Sequence, residues 1–129
     1  MRRGRRRRSK TKLIILGRPI TKKNSQRIAL TKTGKRFIIQ SPQYLRYEKD
    51  CLKQIKHIKT ITEDINLQVL YYMPTKARPD LNNLLAATCD ILQKAKVINN
   101  DKNIVSFDGS HIAGVDKNNP RTEITIEGR

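Results

Sequence analysis

The segment from residue 80 to residue 96 constrains the fold of this chain more than any other stretch. Its apolar side chains recur at steps of three and four residues, the spacing that places them along one side of an α-helix. These residues are Leu81, Leu84, Leu85, Thr88, Ile91, Leu92 and Ala95. Pro79 and Asp80 come just before them and are typical of the start of a helix. The sequence therefore predicts an amphipathic helix that packs its apolar side against other elements.

Regular alternation of apolar and polar residues predicts strands on both sides of this helix. Asn66 to Tyr72 has Leu67, Val69 and Tyr71 on one side, and Arg121 to Glu127 alternates in the same way. The other predicted elements are strands at Leu13 to Leu16, Arg36 to Gln40 and Ile104 to Ala113, a loop or loose hairpin between the first two, and a helix from Pro42 to about Lys59 with Ser41 as its N-cap. The prediction is an α+β fold, in which a small mixed β-sheet of four to five strands packs with two main helices.

The charge balance points to a polyanionic partner. The 129 residues include 28 Lys and Arg against 11 Asp and Glu, a net charge of +17. Seven of the basic residues lie in the first ten, so the rest of the chain still carries +10. Nucleic acid is the leading candidate partner. We expect residues 1–11 to form a disordered basic arm that binds phosphates, although a nuclear address would have a similar composition, and residues 12–129 to form a single domain.

Neither a membrane span nor a signal peptide is predicted. The apolar run LIIL at residues 13–16 is too short for either. Cys51 and Cys89 lie far apart, each among apolar residues of a helical pattern, so buried free thiols are favoured over a disulfide or a metal pair. These features fit a reducing cytoplasm.

Basic residues outside the arm are predicted to contact DNA phosphates. The polar loop after the first strand is more basic than any structural role requires, so its affinity for DNA should fall steeply with salt. The predicted nucleic-acid-binding residues are Lys22, Lys23, Arg27, Lys35, Arg36, Lys76 and Arg78. Arg46, Lys49, Lys53 and Lys56 recur along one side of the first helix, which is either a DNA-facing stripe or an ordinary solvated face.

Acidic and amide side chains gather around the helix of residues 80–96. Asp80 and Asn82 lie in its first turn, Asp90 lies further along it, and Asp101 lies just before the next strand. Asp80 has two possible roles, as an N-cap that accepts hydrogen bonds from the first turn or as a metal ligand. Asn83 and Asp90 share a face but are about two turns apart, too far to contact one ion. Carboxylates in a positive field are what Mg²⁺-dependent phosphodiester hydrolysis requires.

The stretch PDLNNLLAATCDILQKAKVINNDKNIV resembles the signature of the RusA family of Holliday junction resolvases. The family pattern is an acid, a leucine, an acid and Asn-Leu at the start of a helix, an aspartate within that helix, and a further acid after it. GRPITKKNSQR near the start and DGSHIAGVDKNNPRTEITI near the end are looser matches. The resemblance covers about residues 13 to 127.

This resemblance implies an α+β homodimer that binds four-way junction DNA and resolves it by paired symmetric nicks, in DNA recombination or repair. It implies Mg²⁺ as the cofactor, with Mn²⁺ as a substitute, and neither a small-molecule cofactor nor a membrane partner. Asp80, Asn82 and Asp101 would be the metal ligands, and Asp90 a further catalytic residue. The expected location is cytoplasmic, at the nucleoid of a bacterium or with a phage.

Two positions depart from the family pattern. Asn82 stands where a second acid is expected, and its amide oxygen can bind Mg²⁺ but brings no negative charge. Ala86 stands where a lysine is often found, so the cation at the scissile phosphate would come from Lys76, Arg78, Lys94 or a residue of the other subunit. Two hypotheses follow: an active resolvase, or a junction-binding protein that has lost the chemistry. A basic protein of ribosomal type would explain the charge but not the acids.

Overall fold

A mixed five-stranded sheet organises the part of the chain that this computed structural model describes, residues 10–22 and 26–129. The elements are β1 (Lys10–Leu16), β2 (Gln26–Leu30), β3 (Arg36–Gln40), α1 (Pro42–Gln54), β4 (Ile65–Met73), α2 (Leu81–Lys94), β5 (Ile104–Ser106), β6 (His111–Val115) and β7 (Arg121–Gly128). The two helices and the five-stranded sheet confirm the predicted α+β class. β2 and β3 form a separate antiparallel hairpin.

β4 is the centre of the sheet. β7 pairs with it antiparallel from Ile65↔Gly128 to Tyr72↔Arg121, and β1 pairs antiparallel with the other side of β7. The short strands β5 and β6 both pair parallel with the opposite edge of β4. The predicted alternation is confirmed in both long strands, because Leu67, Val69 and Tyr71 of β4 are buried, as are the even-numbered residues of β7.

α2 packs its apolar side into the core that the sheet provides. Leu84, Ile91 and Leu92 are almost fully buried there, and Thr88 donates to the carbonyl of Leu84 while its hydroxyl lies 2.6 Å from that of Tyr71. α1 begins at Pro42 as predicted, and the hydroxyl of its N-cap, Ser41, accepts from the backbone N–H of Tyr44 at 3.1 Å. The face of α2 that carries Asn82, Ala86 and Asp90 is therefore turned away from the core.

Two predicted elements differ from the observed ones. α1 ends at Gln54 rather than near Lys59, and Ile55, Ile58 and Ile61 reach the core from a non-helical segment. Ile55 and Ile58 continue the spacing of the apolar residues of α1, but they pack against the core without forming a further helical turn. The spacing alone therefore predicts a helix that is too long. The predicted strand from Ile104 to Ala113 is divided into β5 and β6 by a turn in which Gly109 has a φ of +84°.

Several predicted features lie at the edge of the described residues. β1 begins at Lys10, two residues inside the predicted arm of residues 1–11, and the other arm residues lie outside the described part of the chain.

No helix within residues 10–22 and 26–129 is long and apolar enough to cross a membrane.

Truncating the core contact of α2 should cost far more than truncating an exposed leucine. Leu92 is 0% exposed and Leu45 of α1 is 49% exposed. We expect Leu92→Ala to lower the free energy of unfolding by about 2–5 kcal/mol and Leu45→Ala by less than about 1 kcal/mol. Urea denaturation of the two variants measures this, and equal losses would contradict the packing of α2.

Candidate active site

A cavity of about 400 Å³ lies along the side of α2 that faces away from the core. Asn82, Ala86 and Asp90 form one row of side chains along the helix, with one turn between successive residues, and Leu85 and Cys89 form the neighbouring row. The segment after the helix forms the opposite wall. The lining residues are Asn82, Leu85, Ala86, Cys89, Asp90, Asp101, Ile104 and Phe107. Three of the four predicted catalytic residues, Asn82, Asp90 and Asp101, therefore lie at one cavity.

The chain after α2 brings Asp101 back to the helix. Lys96 adopts a φ of +59°, which ends the helix, and Asn100 accepts from the N–H of Lys102 to start a short 3₁₀ turn at Asp101. The backbone N–H of Asp101 donates to the side-chain carbonyl of Gln93 at 3.1 Å. Gln93 thus fixes the backbone of Asp101 beside the second half of α2.

The pKa of the Cys89 thiol depends on the charges around this cavity. Burial raises the pKa of its thiol to about 12, and the negative charges of Asp101 and Asp90 add to the increase. The two carboxylates therefore act on the same buried sulfur. The thiol therefore stays protonated at neutral pH in the metal-free protein, and the oxygen atoms of Asn82, Asp90 and Asp101 are the hard potential ligands among the residues that line the cavity. Cys51 and Cys89 are both buried free thiols, as predicted.

Asp80 occupies the N-cap position of α2 without acting as a side-chain cap. Its backbone is extended, and its carbonyl accepts from the N–H groups of Asn83 and Leu84. Its carboxylate accepts no hydrogen bond from the first turn of α2, in contrast to the Ser41 hydroxyl in α1. The carboxylate is exposed in the same turn as Asn82, although Asp80 is not among the residues that line the cavity.

The oxygen atoms available here do not form a closed metal site, but they suit a Mg²⁺ ion that keeps some of its water ligands. In the described part of the chain, no three His, Cys, Asp or Glu side chains are grouped to hold a metal ion. The cavity does hold the carboxylates of Asp90 and Asp101 and the amide of Asn82. Mg²⁺ is commonly held by one or two carboxylates, with water and substrate phosphate completing its shell. The donor set therefore fits a hard cation whose remaining ligands are water and the phosphate oxygens of DNA.

A family model matches the stretch of sequence that contains both helices and the cavity residues. Residues 17–127 match the model described as Endodeoxyribonuclease RusA, a range that includes both helices and every cavity residue. The chain belongs to the RusA family. No curated protein matches the sequence. Membership in this family supports, in broad terms, an endodeoxyribonuclease that acts on Holliday junctions and binds junction DNA.

One predicted DNA-binding residue of this RusA-family chain reaches the cavity from another element. Lys22, in the segment after β1, makes a salt bridge through Nζ to Oδ2 of Asp90. Its Nζ also lies 5.7 Å from the centre of the Tyr44 ring. Burial raises the pKa of the Tyr44 hydroxyl well above its usual value, and the charges of Glu48 and Asp90 add to this, so the ring remains neutral.

The remaining predicted DNA-binding residues lie in different places. Lys76 and Arg78 line a second cavity, of about 340 Å³, beside β4 and β6. Lys35 and Arg36 are exposed at the tip of the β2–β3 hairpin. Lys23 and the side chain of Arg27 lie outside the described part of the structure. The α1 residues Arg46, Lys49 and Lys53 and the nearby Lys56 are exposed, which agrees with either of their two predicted roles.

Sequence reasoning missed three features of the site, two single residues and one ion pair. The first is Gln93, whose amide fixes the backbone of Asp101, and nothing in its surroundings in the sequence distinguishes it. The second is Cys89 as a cavity residue, although its position beside Asp90 was a usable signal. The ion pair between Lys22 and Asp90 spans 68 residues, so no local pattern could indicate it.

Replacing the two N-cap residues should separate a structural role of Asp80 from a functional one. Ser41→Ala should lower the free energy of unfolding by about 1 kcal/mol, because the Ser41 hydroxyl caps α1. Asp80→Ala should lower it by no more than about 0.5 kcal/mol in high salt, where the favourable interaction with the helix dipole is screened. Urea denaturation measures both values. An equal loss in the two variants would identify Asp80 as a cap.

The reactivity of Cys89 should respond to the carboxylates of the cavity. Asp101→Asn removes a negative charge that raises the pKa of this thiol, so the thiolate fraction and the alkylation rate at pH 8 should increase by roughly two- to fivefold. Mass spectrometry of the two cysteine peptides measures both rates. Cys51 is the internal control, since its pKa is raised by burial and by Asp50 and Glu48. Unchanged labelling of Cys89 would contradict the proximity of Asp101.

Proposed function

We propose that this chain is a Mg²⁺-dependent endonuclease that resolves four-way DNA junctions as a homodimer, by paired symmetric nicks. The observation that carries the proposal is the cavity at α2, which Asn82, Asp90 and Asp101 all line in a RusA-family chain with a net charge of +17. Acidic and amide oxygens within a strongly basic protein fit a site that binds a phosphodiester together with a hard cation.

One cation is held jointly by residues of the cavity and of the first turn of α2 in this proposal. Asp101 and Asn82, with Asp80 from the same helical turn, would hold the cation, and Gln93 keeps Asp101 in position. Mg²⁺, when bound, would supply activated water and neutralise charge on the phosphate. The water oxygen bonds to phosphorus as the bond to the 3′ oxygen breaks. The attacking water gives up one proton and the 3′ oxygen takes up one, which leaves 3′-hydroxyl and 5′-phosphate ends.

The amide at Asn82 makes the cation site depend on DNA. Asp80 and Asp101 bring two negative charges, whereas the carboxylate of Asp90 is already paired with Lys22. Two negative charges attract a divalent cation only moderately, so phosphate oxygens of the substrate would complete the shell and raise its affinity. We therefore expect the cation to bind more tightly to the complex with DNA than to the protein alone.

The charge of the chain and the symmetry of the substrate support the remaining parts of the proposal. Exposed basic residues such as Lys35, Arg36, Lys76 and Arg78 offer phosphate contacts outside the cavity. A four-way junction has approximate two-fold symmetry, which a two-fold dimer matches with one cavity for each nicked strand. The proposed setting is recombination or repair at the nucleoid of a bacterium or with a phage, with Mn²⁺ able to replace Mg²⁺.

The second candidate function is junction binding without cleavage. Asn82 and Ala86 favour it, because the cavity has an amide and a methyl group where a carboxylate and an amine would serve catalysis. In this case the basic surface holds the junction and the acidic residues stabilise only the protein.

Cleavage of a labelled four-way junction, compared with linear duplex in Mg²⁺ and in Mn²⁺, distinguishes the two functions. We expect paired nicks only in the junction, and a loss of at least about 100-fold in Asp101→Asn, because that variant removes a cation ligand. Asp64→Asn is the matched control, since Asp64 is an exposed carboxylate that does not line the cavity.

Asn82→Asp provides the decisive comparison. If the parent chain binds the junction tightly without nicking it, and Asn82→Asp nicks it, the chain is a binding protein that has lost its chemistry. If both nick, and Asn82→Asp needs less Mg²⁺, the amide lowers cation affinity without abolishing cleavage.

A further inference from the structure

Phosphate chemistry at the cavity needs a positive group that the cavity wall does not supply. Of the described lining residues, Asp90 and Asp101 are acidic and none is basic. Negative charge develops on phosphate oxygens during hydrolysis, and a fixed cation or hydrogen-bond donor at that position stabilises the transition state. A protein cation would have to reach the cavity from another element.

Lys22 reaches the rim of the cavity from the segment after β1. Its ammonium group donates to Oδ2 of Asp90, and the Tyr44 ring lies beside it with its centre 5.7 Å from Nζ. The side chains of Lys22 and Asp90 are 27% and 43% exposed, so a substrate can approach the pair. Ala86 lies one turn before Asp90 on the same side of α2, and its methyl group leaves space there.

Three other basic groups near α2 are directed elsewhere. The ammonium group of Lys94 donates to both carboxylate oxygens of Glu48, at 3.0 and 2.9 Å, and Lys94 does not line the cavity. Lys76 and Arg78 line the second cavity beside β4 and β6. Within residues 10–22 and 26–129, Lys22 is the basic residue for which the structure records an ion pair with a residue that lines the cavity.

We propose that Lys22 contacts the scissile phosphate and that Asp90 is its positioning residue. The proposal rests on the proposed nuclease function and adds a catalytic cation to it. An ammonium group has three N–H donors, so the contact of Lys22 with one oxygen of Asp90 is compatible with a contact to a phosphate oxygen. Asp90 holds the lysine side chain in place before the substrate arrives. The entropy cost of ordering that side chain is therefore not part of the activation barrier.

Single-turnover cleavage of a labelled four-way junction at saturating protein tests the role of Lys22. Lys22→Gln should lower the cleavage rate constant about 100-fold, because one charge-stabilising group is lost. The dissociation constant of the junction should change by less than about threefold, since many phosphate contacts share the binding. Lys22→Arg retains the charge and should recover all but about tenfold of the rate.

The role of Asp90 is tested by a double-mutant cycle. Asp90→Asn keeps Lys22 charged but removes its anchor, so the rate constant should fall about tenfold. In the Lys22→Gln background, Asp90→Asn should cause no further loss, because Asp90 acts through Lys22. Multiplicative losses in the double variant would overturn the positioning role.

Lys94→Gln is the matched control for charge and for loss of an ion pair. It removes the same charge from a lysine–carboxylate pair that also involves α2, and its rate constant should stay within about twofold of the parent. Thermal melting establishes that each variant is folded at the assay temperature. A folded Lys22→Gln protein that cleaves within about threefold of the parent would overturn the proposal.

The parent chain in the same assay separates the two levels of the argument. Absence of cleavage by the parent in both Mg²⁺ and Mn²⁺ refutes the nuclease function, and the catalytic role of Lys22 with it. Cleavage by the parent together with normal cleavage by Lys22→Gln refutes only the role of Lys22.

Discussion

The packing of α2 against the sheet determines where every other part of the candidate site lies. Leu84, Ile91 and Leu92 are buried in the core, and their spacing leaves no freedom to rotate the helix. Asn82 and Asp90 must then face away from the core. The cavity is thus a consequence of an apolar pattern that contains no catalytic residue. A change that loosened this contact would misplace the polar side chains even though none of them had been altered.

Sequence patterns predicted the fold where one side of an element is buried, and failed where burial does not determine conformation. β4 and β7 alternate because the sheet buries one face of each. The end of α1 at Gln54 was missed because Ile55 and Ile58 pack against the core from a non-helical segment as well. Of the site, the sequence supplied Asn82, Asp90 and Asp101 as candidates. Their position at one cavity depends on a turn and on a hydrogen bond from the backbone N–H of Asp101 to the side chain of Gln93, which no spacing indicates.

The candidate site combines opposite electrostatic requirements. A net charge of +17 attracts DNA to the protein, whereas the acidic residues of the cavity repel the phosphate that the proposed reaction would bring there. The ion pair between Lys22 and Asp90 reduces this local repulsion, since it places a positive charge beside one of the two acidic residues of the cavity. A divalent cation would offset the negative charge of Asp101. Binding of the cation and of DNA should therefore be mutually favourable.

The buried thiol of Cys89 fits this preference for hard ligands. A thiolate in the cavity would favour softer ions such as Zn²⁺ over Mg²⁺. Burial, together with the charges of Asp101 and Asp90, raises the pKa of Cys89 to about 12, so the sulfur remains a weak ligand at neutral pH. The carboxylates that would bind a hard cation thus also suppress the ligand that would bind a soft one. At the proposed cation site, this electrostatic effect would disfavour ligation by the sulfur, so a protonated Cys89 is compatible with a hard cation bound by the neighbouring oxygen atoms.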